Sequence, residues 1–149
     1  MEYLYELVGK AAEGKLDKRF WGPAFKRLKN EIGKIKFASI EEAEIYYDEV
    51  MSQIERFAVF EWGFCVLFHS SKTEAKCHDP VTGLPDVEGL ASPSRCSHCP
   101  NNMGNSIQTN NMVRIAIAHS DIGERHPIKA IGKLSMDIAE RITRRIGEV

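Results

Sequence analysis

The sequence lacks any long apolar run, and it contains none of the common catalytic signatures. No stretch approaches the roughly 18 apolar residues that cross a bilayer, and the opening MEYLYELVGK has neither the basic start nor the apolar core of a secretory signal. We therefore expect a cytoplasmic protein without a membrane segment. A GxSxG elbow, a phosphate-binding glycine loop, an HExxH motif and a basic patch with interleaved aromatic residues are all absent. These absences predict that the chain is not an enzyme.

Helical periodicity dominates residues 1–58. Pro23 suits the first turn of a helix, and Ser39 with Glu42 forms a capping-box pattern that starts another. The spacing predicts three helices, the second ending near Phe37 and the third running to about Phe57, so that residues 23–58 form a helical hairpin. The residues predicted to face inward are Leu4, Leu7, Val8 and Ala11 in the first helix, Phe25, Leu28, Ile32 and Ile35 in the second, and Ala43, Tyr46, Tyr47, Val50 and Ile54 in the third.

A second helical region covers residues 105–149, where Pro127 separates two periodic stretches. Their predicted inward residues are Met112, Ile115, Ala116, His119 and Ile122, and then Ile128, Ile131, Leu134, Ile138, Ile142 and Ile146. The last helix is predicted to place Lys129, Lys133, Arg141, Arg144 and Arg145 in solvent. This pattern predicts a C-terminal helical hairpin.

The segment between these helices, residues 59–104, differs in character. The run FAVFEWGFCVLFH is rich in aromatic and β-branched residues, which predicts a short buried strand or hairpin around residues 58–69. Proline and glycine then punctuate residues 72–103 too often for regular structure. Because a structureless loop of this length is uncommon in a compact domain, something is expected to hold it in place.

Four cysteines fall in or beside this loop with the spacing C-x11-C-x18-C-x2-C, at Cys65, Cys77, Cys96 and Cys99. Disulfides are rare in the cytoplasm, so these residues are better interpreted as thiols or metal ligands. A CxxC turn directs two thiolates at one tetrahedral ion, and the outlying cysteines complete a four-sulfur set. We therefore predict one structural Zn²⁺, with the whole chain forming a mainly α protein in which helical hairpins flank a short strand and loop segment that binds zinc, all in one compact unit.

Two alternatives for the cysteines stay open. Cys65 lies in an apolar run and is also explained as a plain buried cysteine, in which case the fourth ligand is one of the histidines His69, His78 and His98. A thiol-redox pair at Cys96 and Cys99 is the second alternative, although such a motif usually lies where a strand gives way to a helix.

Charge is distributed unevenly although the formal net charge is only -1. Between residues 10 and 36, nine basic residues stand against three acidic ones, whereas residues 41–61 hold seven acidic residues and one basic one. The two blocks either pair with each other or serve different partners. If the basic block contacts DNA, the candidate contact residues are Lys18, Arg19, Lys26, Arg27, Lys29 and Lys34.

Three of these elements together resemble the C-terminal region of some phage and mobile-element tyrosine recombinases (integrases). They are the run from Glu61 to Cys65, EWGFC, the lone Cys77, and the run ASPSRCSHCPNN at residues 91–102, followed by the helix-proline-helix tail. The resemblance implies a metal-binding accessory module with Cys65, Cys77, Cys96 and Cys99 as zinc ligands. The family's catalytic HxxR pair is absent, so no catalytic residue carries over.

The leading hypothesis is therefore a zinc-binding, non-catalytic module of a site-specific DNA recombinase that helps engage DNA or a neighbouring protomer, either within a longer protein or as a free-standing relative. One alternative is a protein–protein interaction module without a DNA role, which the near-neutral charge and the pI of about 6.5 favour. The other is a thiol-redox protein that uses Cys96 and Cys99.

Overall fold

A computed structural model of the chain describes residues 2–16, 19–35 and 39–149, and it is mostly helical with a three-stranded antiparallel sheet in the order β1-β2-β3. None of the helices in these ranges is both long enough and apolar enough to cross a membrane. The helices are α1 (Glu2–Ala12), α2 (Pro23–Ile35), α3 (Ile40–Ser52), α4 (Val87–Leu90), α5 (Pro93–Cys96), α6 (Ser106–Arg125) and α7 (Lys129–Gly147), with a 3₁₀ helix at His69–Glu74. The strands are β1 (Ile54–Phe60), β2 (Gly63–Phe68) and β3 (Asn102–Met103).

The N-terminal helices begin where local chemistry predicts. Helix α2 starts at Pro23, whose missing N–H would have no intrahelical partner in the first turn. The capping box of α3 is formed, because the Glu42 N–H donates to Ser39 Oγ and the Ser39 N–H donates to Glu42 Oε2, both at 3.3 Å. Helix α2 contacts both α1 and α3. The predicted end of α2 near Phe37 lies outside the described residues.

The prediction for the end of α3 is wrong. The helix stops at Ser52, and residues 54–60 form β1. The stretch IERFAVF contains β-branched and aromatic residues and pairs along its length with β2, from Ile54 opposite Phe68 to Phe60 opposite Gly63. Cross-strand hydrogen bonds and side-chain pairs therefore replace a continued helix, and the predicted hairpin at 58–69 is present but begins earlier.

The main core joins the N-terminal helices to the sheet. Leu4, Val8 and Ala24 are fully buried, and the sheet contributes Val66 and Met103. Gly22 lets the chain pass close to β3, because its φ of 101° suits glycine and an added Cβ would lie 2.6 Å from the Asn102 carbonyl oxygen. The whole cluster consists of Leu4, Leu7, Val8, Phe20, Ala24, Leu28, Ile32, Val50, Ile54, Phe64, Val66, Phe68 and Met103.

The C-terminal hairpin is present, and α7 buries only part of the face that its isoleucine spacing predicts. Ile142 is fully buried and Ile138 and Ile146 pack against the same cluster, but the predicted residues nearer the hairpin tip are exposed. Ile131 and Leu134 are 41% and 60% exposed, whereas the buried residues of this helix are Gly132, Ser135, Ala139, Ile142 and Arg145. The physical reason is close helix packing: a Cβ on Gly132 would lie 2.9 Å from the carbonyl oxygen of Gly123 in α6. Small residues therefore occupy the contact, and large apolar residues toward the hairpin tip stay exposed.

Trp21 connects this hairpin to the rest of the chain. It packs with Met112 and Ile142, and its indole N–H donates to Thr109 Oγ1 at 2.8 Å and to the Asn105 carbonyl oxygen at 3.2 Å. Its backbone exchanges two hydrogen bonds with Gly104, of 2.9 and 3.1 Å. One tryptophan thus holds the start of α6 against the segment that precedes α2.

Candidate metal centre

All four cysteines line one small cavity between the β1–β2 hairpin and the loop that follows it. Cys65 lies on β2, Cys77 follows the 3₁₀ helix, and Cys96 and Cys99 flank the turn after α5. The cavity volume is about 10 Å³, which is roughly the space that a single water-sized particle needs. The remaining lining is Phe60, Phe64, Ala75, Val87, Ala91, Asn101 and Asn102. Cysteines separated by up to 34 positions in the sequence are thus brought to one point.

Short-range hydrogen bonds position the CxxC pair. Ser92 caps the short helix α5 by accepting the Arg95 N–H at 3.2 Å, and Pro93 provides its first residue. The Cys99 N–H then donates to the Cys96 carbonyl at 3.1 Å, which closes a tight turn between the two thiols. The polar, proline-flanked sequence therefore forms a knuckle, and the turn holds it in place.

The two outlying cysteines are held by long-range contacts. Cys65 lies in the middle of the sheet, opposite Ala58 on β1 and Asn102 on β3. The carbonyl oxygen of Cys77 accepts the Asp86 N–H at 2.9 Å, which folds the intervening loop back on itself. The sheet and this loop closure together bring Cys65 and Cys77 to the knuckle.

No disulfide joins any two of the four cysteines. As they stand, the His, Cys, Asp and Glu side chains of residues 2–16, 19–35 and 39–149 form no group of three or more arranged to hold a metal ion. The shared cavity is therefore a convergence of four potential ligands and not a formed coordination sphere.

Burial dominates the electrostatics of these thiols. Burial, followed by the neighbouring Cys99, Cys96 and Cys77, raises the pKa of Cys65 to about 12. Burial also raises the pKa of Cys77 and of Cys96 above the ordinary value. Neighbouring cysteines add to the rise in the pKa of Cys65, Cys77 and Cys96, so thiolates here require a compensating positive charge.

Two N–H donors are directed toward this group. Asn101 is fully buried, and its Nδ2 donates to Cys99 Sγ at 3.9 Å while its Oδ1 accepts from Ser71 Oγ at 2.7 Å. The buried indole N–H of Trp62 has no acceptor in hydrogen-bonding geometry, yet it lies near enough to Cys96 to act against the rise of that thiol's pKa. Donors of this kind stabilise thiolate sulfur and orient metal ligands, so the donor set fits zinc in its chemistry.

The three histidines considered as alternative ligands lie outside the cavity. His69, His78 and His98 are all exposed, and none of them lines it. His78 and His98 direct Nδ1 to the carbonyl oxygens of Ala75 and Ser94, at 3.0 and 2.7 Å. Burial, together with the nearby cations of which Arg141 acts most strongly, lowers the pKa of His98. The structure thus places Cys65, and no histidine, with the other three cysteines.

The basic residues proposed to contact DNA are not equally available. Lys18 lies outside the described residues, and Arg19, Lys26 and Lys29 are exposed on or just before α2. Lys34 pairs with Glu31 at 3.1 Å. Within the part of the chain that the structure describes, no ion pair joins the basic block to the acidic block at residues 41–61.

Arg27 differs from the other candidates because it is used inside the protein. Its guanidinium lies over the Phe68 ring at 3.9 Å, and Nη2 donates to Ser70 Oγ at 2.7 Å. These contacts attach α2 to the end of β2 and occupy the charged group that would otherwise meet a phosphate.

Replacement of Arg27 by alanine is therefore expected to destabilise the fold by about 1 to 2 kcal/mol, because a cation–π contact and a charged hydrogen bond are lost together. The matched control is Lys26→Ala on the exposed side of the same helix, expected to change stability by less than about 0.5 kcal/mol. Urea titrations followed by circular dichroism measure both. Equal effects of the two substitutions would show that Arg27 has no structural role.

Sequence reasoning missed three residues around the cavity. Asn101 lies two residues after Cys99 and Trp62 three residues before Cys65, but nothing local in the sequence indicates that their N–H groups face sulfur. Arg145 was predicted in solvent and is instead buried, with Nε donating to the Ser97 carbonyl oxygen in the knuckle. Its position one helical turn after Ile142 was the only available signal, because that spacing puts both residues on one face.

Comparison with known proteins adds no relative: no protein-family model, curated protein or solved structure matches the chain.

Proposed function

We propose that the chain is a non-catalytic module held together by one structural zinc ion, with Cys65, Cys77, Cys96 and Cys99 as its ligands. The observation that carries the proposal is the convergence of all four cysteines, from three separate parts of the sequence, on one small cavity. When bound, zinc supplies the positive charge that four neighbouring thiolates require. Asn101 and Trp62 would orient the sulfurs through their N–H groups.

Such a centre would add to the small hydrophobic cluster that Leu67, Ala75, Cys77 and Val87 form in the middle of the chain. The knuckle is polar, and the loop from Asp79 to Asp86 is largely exposed, with Val81 at 90% and Leu84 at 57%. Little apolar burial is available there to offset the entropy of an ordered backbone. Four metal–sulfur bonds between β2, the loop and α5 would supply the missing stabilisation.

We further propose that this module serves a DNA-recombining enzyme, aiding DNA engagement or contacts between protomers. The support is that the cysteines of the EWGFC and ASPSRCSHCPNN motifs, which carry the resemblance to recombinases, are those that line the cavity. The chain's own part would be to hold these motifs as one rigid surface. An interaction module without a DNA role is the second candidate, favoured by the acidic side chains of α3, which form no ion pair with any residue that the structure describes.

A thiol-redox role has less support in the geometry. Nucleophilic thiols are usually partly exposed and have a lowered pKa, whereas burial raises the pKa of Cys96. The four-cysteine cavity also offers two sulfurs more than a redox pair uses.

The test is the zinc content of the purified chain. We expect one zinc per chain by mass spectrometry of the native protein, and loss of that zinc in Cys96→Ser, because serine supplies no thiolate. The matched control is His98→Gln, which alters an exposed residue between the paired cysteines and is expected to keep the metal. Native protein purified in zinc-containing buffer that carries no metal would reject the proposal. Zinc lost equally from both variants would reject the assignment of ligands.

A further inference from the structure

A second site, distinct from the cysteine cavity, lies on the outer side of the knuckle. There the last turns of α7 and the turn between Cys96 and Cys99 enclose an open cleft of about 480 Å³. Its lining is Ser97, His98, Arg141, Arg144, Arg145 and Glu148. All of these side chains are polar, so the cleft does not suit an apolar ligand or an apolar partner surface.

Positive charge dominates this cleft. Three arginines line it against the single carboxylate of Glu148. That carboxylate is already paired with Arg145 Nη1 at 3.1 Å. Within the described ranges neither Arg141 nor Arg144 forms an ion pair or a side-chain hydrogen bond, and both are exposed. Two arginines are therefore left without a counter-ion beside a third that is fixed in place.

The third arginine makes the cleft rigid. Arg145 is 9% exposed, and its Nε donates to the Ser97 carbonyl oxygen. Ser97 is itself buried and donates its hydroxyl to the Ser94 carbonyl oxygen at 2.7 Å. The guanidinium is thus anchored to the knuckle backbone, which lowers the entropy lost when a ligand is bound.

A simple structural explanation covers part of this arrangement. Arginines in the last turn of a helix offset its dipole, and this applies to Arg144 and Arg145. Helical spacing places Arg141 on the same face as Arg144 and Arg145, but neither effect explains why Arg145 is buried against a different segment. A cleft lined by several arginines of one helix and by a neighbouring turn is instead suited to oxyanion recognition, because each planar guanidinium matches two oxygens.

We propose that this cleft is a binding site for a phosphate group. Arg141 and Arg144 would donate hydrogen bonds to the phosphate oxygens, and Arg145 would supply a fixed positive charge beside them. The phosphate belongs either to a nucleic-acid backbone or to a small phosphorylated compound, and both present the same tetrahedral oxyanion. The site rests on the proposed function in one respect, since Ser97 and His98 are held by the knuckle that zinc would order. It also relocates the expected phosphate contact from α2 to the end of α7.

The test compares two double variants that lose the same charge from the same helix. Arg141→Gln with Arg144→Gln removes the proposed donors, whereas Lys129→Gln with Lys133→Gln removes two exposed cations near the start of α7. Binding of a fluorescein-labelled DNA duplex is measured by anisotropy at several salt concentrations, and binding of inorganic phosphate and pyrophosphate by calorimetry. Zinc per chain is measured on every sample.

We expect the arginine variant to lose at least about tenfold in affinity for whichever probe binds, and the lysine variant to lose about threefold or less. If the probe is DNA, the salt slope should also fall by about two in the arginine variant. Binding of DNA alone would identify a backbone as the phosphate source, and binding of the small anions would identify a free phosphate compound.

Two results would reject the proposed phosphate site: no binding of any probe, or equal losses of affinity in the two variants. The zinc measurement separates this failure from failure of the proposed function. Full zinc occupancy with no phosphate binding rejects the cleft alone, and phosphate binding by a chain that carries no zinc supports the cleft while rejecting the metal proposal.

Discussion

Removal of zinc is expected to unfold the middle of the chain while the N-terminal core persists. Structural zinc supplies an apparent free energy of about 10 to 16 kcal/mol in small peptides, which matches or exceeds the whole stability of a typical domain. In this chain the lost free energy would destabilise the knuckle and the loop closed by the hydrogen bond from the Asp86 N–H to the Cys77 carbonyl. The core around Leu4, Val8 and Leu28 contains no cysteine, and among its buried residues Phe64 alone also lines the cavity.

Hydrogen exchange measured by mass spectrometry, before and after a strong chelator, localises this effect. We expect protection to be lost between residues 69 and 101 and retained in α1 and α2, with recovery on addition of zinc. The His98→Gln variant should behave as the native chain does.

A chain that needs no metal would behave differently with pH. Because burial raises the pKa of Cys65 from the ordinary 9.0 to about 12, the neutral thiol is favoured by the fold. That contribution is fully present below pH 9 and is lost as the pH rises toward 12. A chelated chain that keeps full protection at neutral pH and weakens only in this alkaline range would contradict the zinc prediction. A zinc-bound chain should instead release metal on acidification, since its ligands must be thiolates.

Replacement of Trp21 by alanine is expected to destabilise the protein by about 3 to 5 kcal/mol, the second-largest effect after metal removal. The side chain is 6% exposed and packs on Met112 and Ile142. Its ring also lies against Gly104, where an added Cβ would be only 2.4 Å from a ring carbon. Truncation would leave a large void between the N-terminal segment and the C-terminal hairpin, together with unpaired groups on Asn105 and Thr109.

Chemical denaturation followed by circular dichroism measures this loss, and two variants calibrate it. Trp21→Phe keeps most of the apolar contact and removes the N–H, so it should cost about 1 to 2 kcal/mol. Tyr46→Ala removes a ring that is 37% exposed and should cost well under half the Trp21→Ala loss. A cost below about 1 kcal/mol for Trp21→Ala would show that the hairpin does not depend on this residue.

The helices that could be predicted share one property: their signals are local. Pro23 at a first turn and the Ser39–Glu42 capping box act over three or four residues, and both are found as predicted. Pro127 likewise separates α6 from α7. The strand β1 illustrates the limit of such signals, because Ile54 has helical spacing to Val50 and still belongs to the sheet. Pairing with β2 makes Ile54 part of a strand, and β2 lies too far along the chain for helical spacing to indicate it.

For the candidate centre, the cysteines could be selected from their spacing, but their meeting point could not. Cys96 and Cys99 are neighbours through a turn that the sequence specifies. Cys65 and Cys77 reach them through sheet register and a closed loop, both of which depend on residues distant in the chain. The same applies to Asn101, whose N–H faces Cys99 only because Ser71, thirty positions earlier, fixes its amide.

The sequence by itself determined where four of the longer helices lie, that no long apolar run is present, and which residue types could hold a metal, because composition, periodicity and capping are properties of short segments. Tertiary structure alone decided which side chains of α7 are buried in addition to Ile142. Helix α7 turns Gly132, Ala139 and Arg145 inward and leaves Leu134 in solvent, since α6 approaches closely at Gly132 and Ser97 offers a carbonyl to the arginine. Burial depends on the shape and chemistry of the surface that a helix meets, and neither is written in the helix's own periodicity.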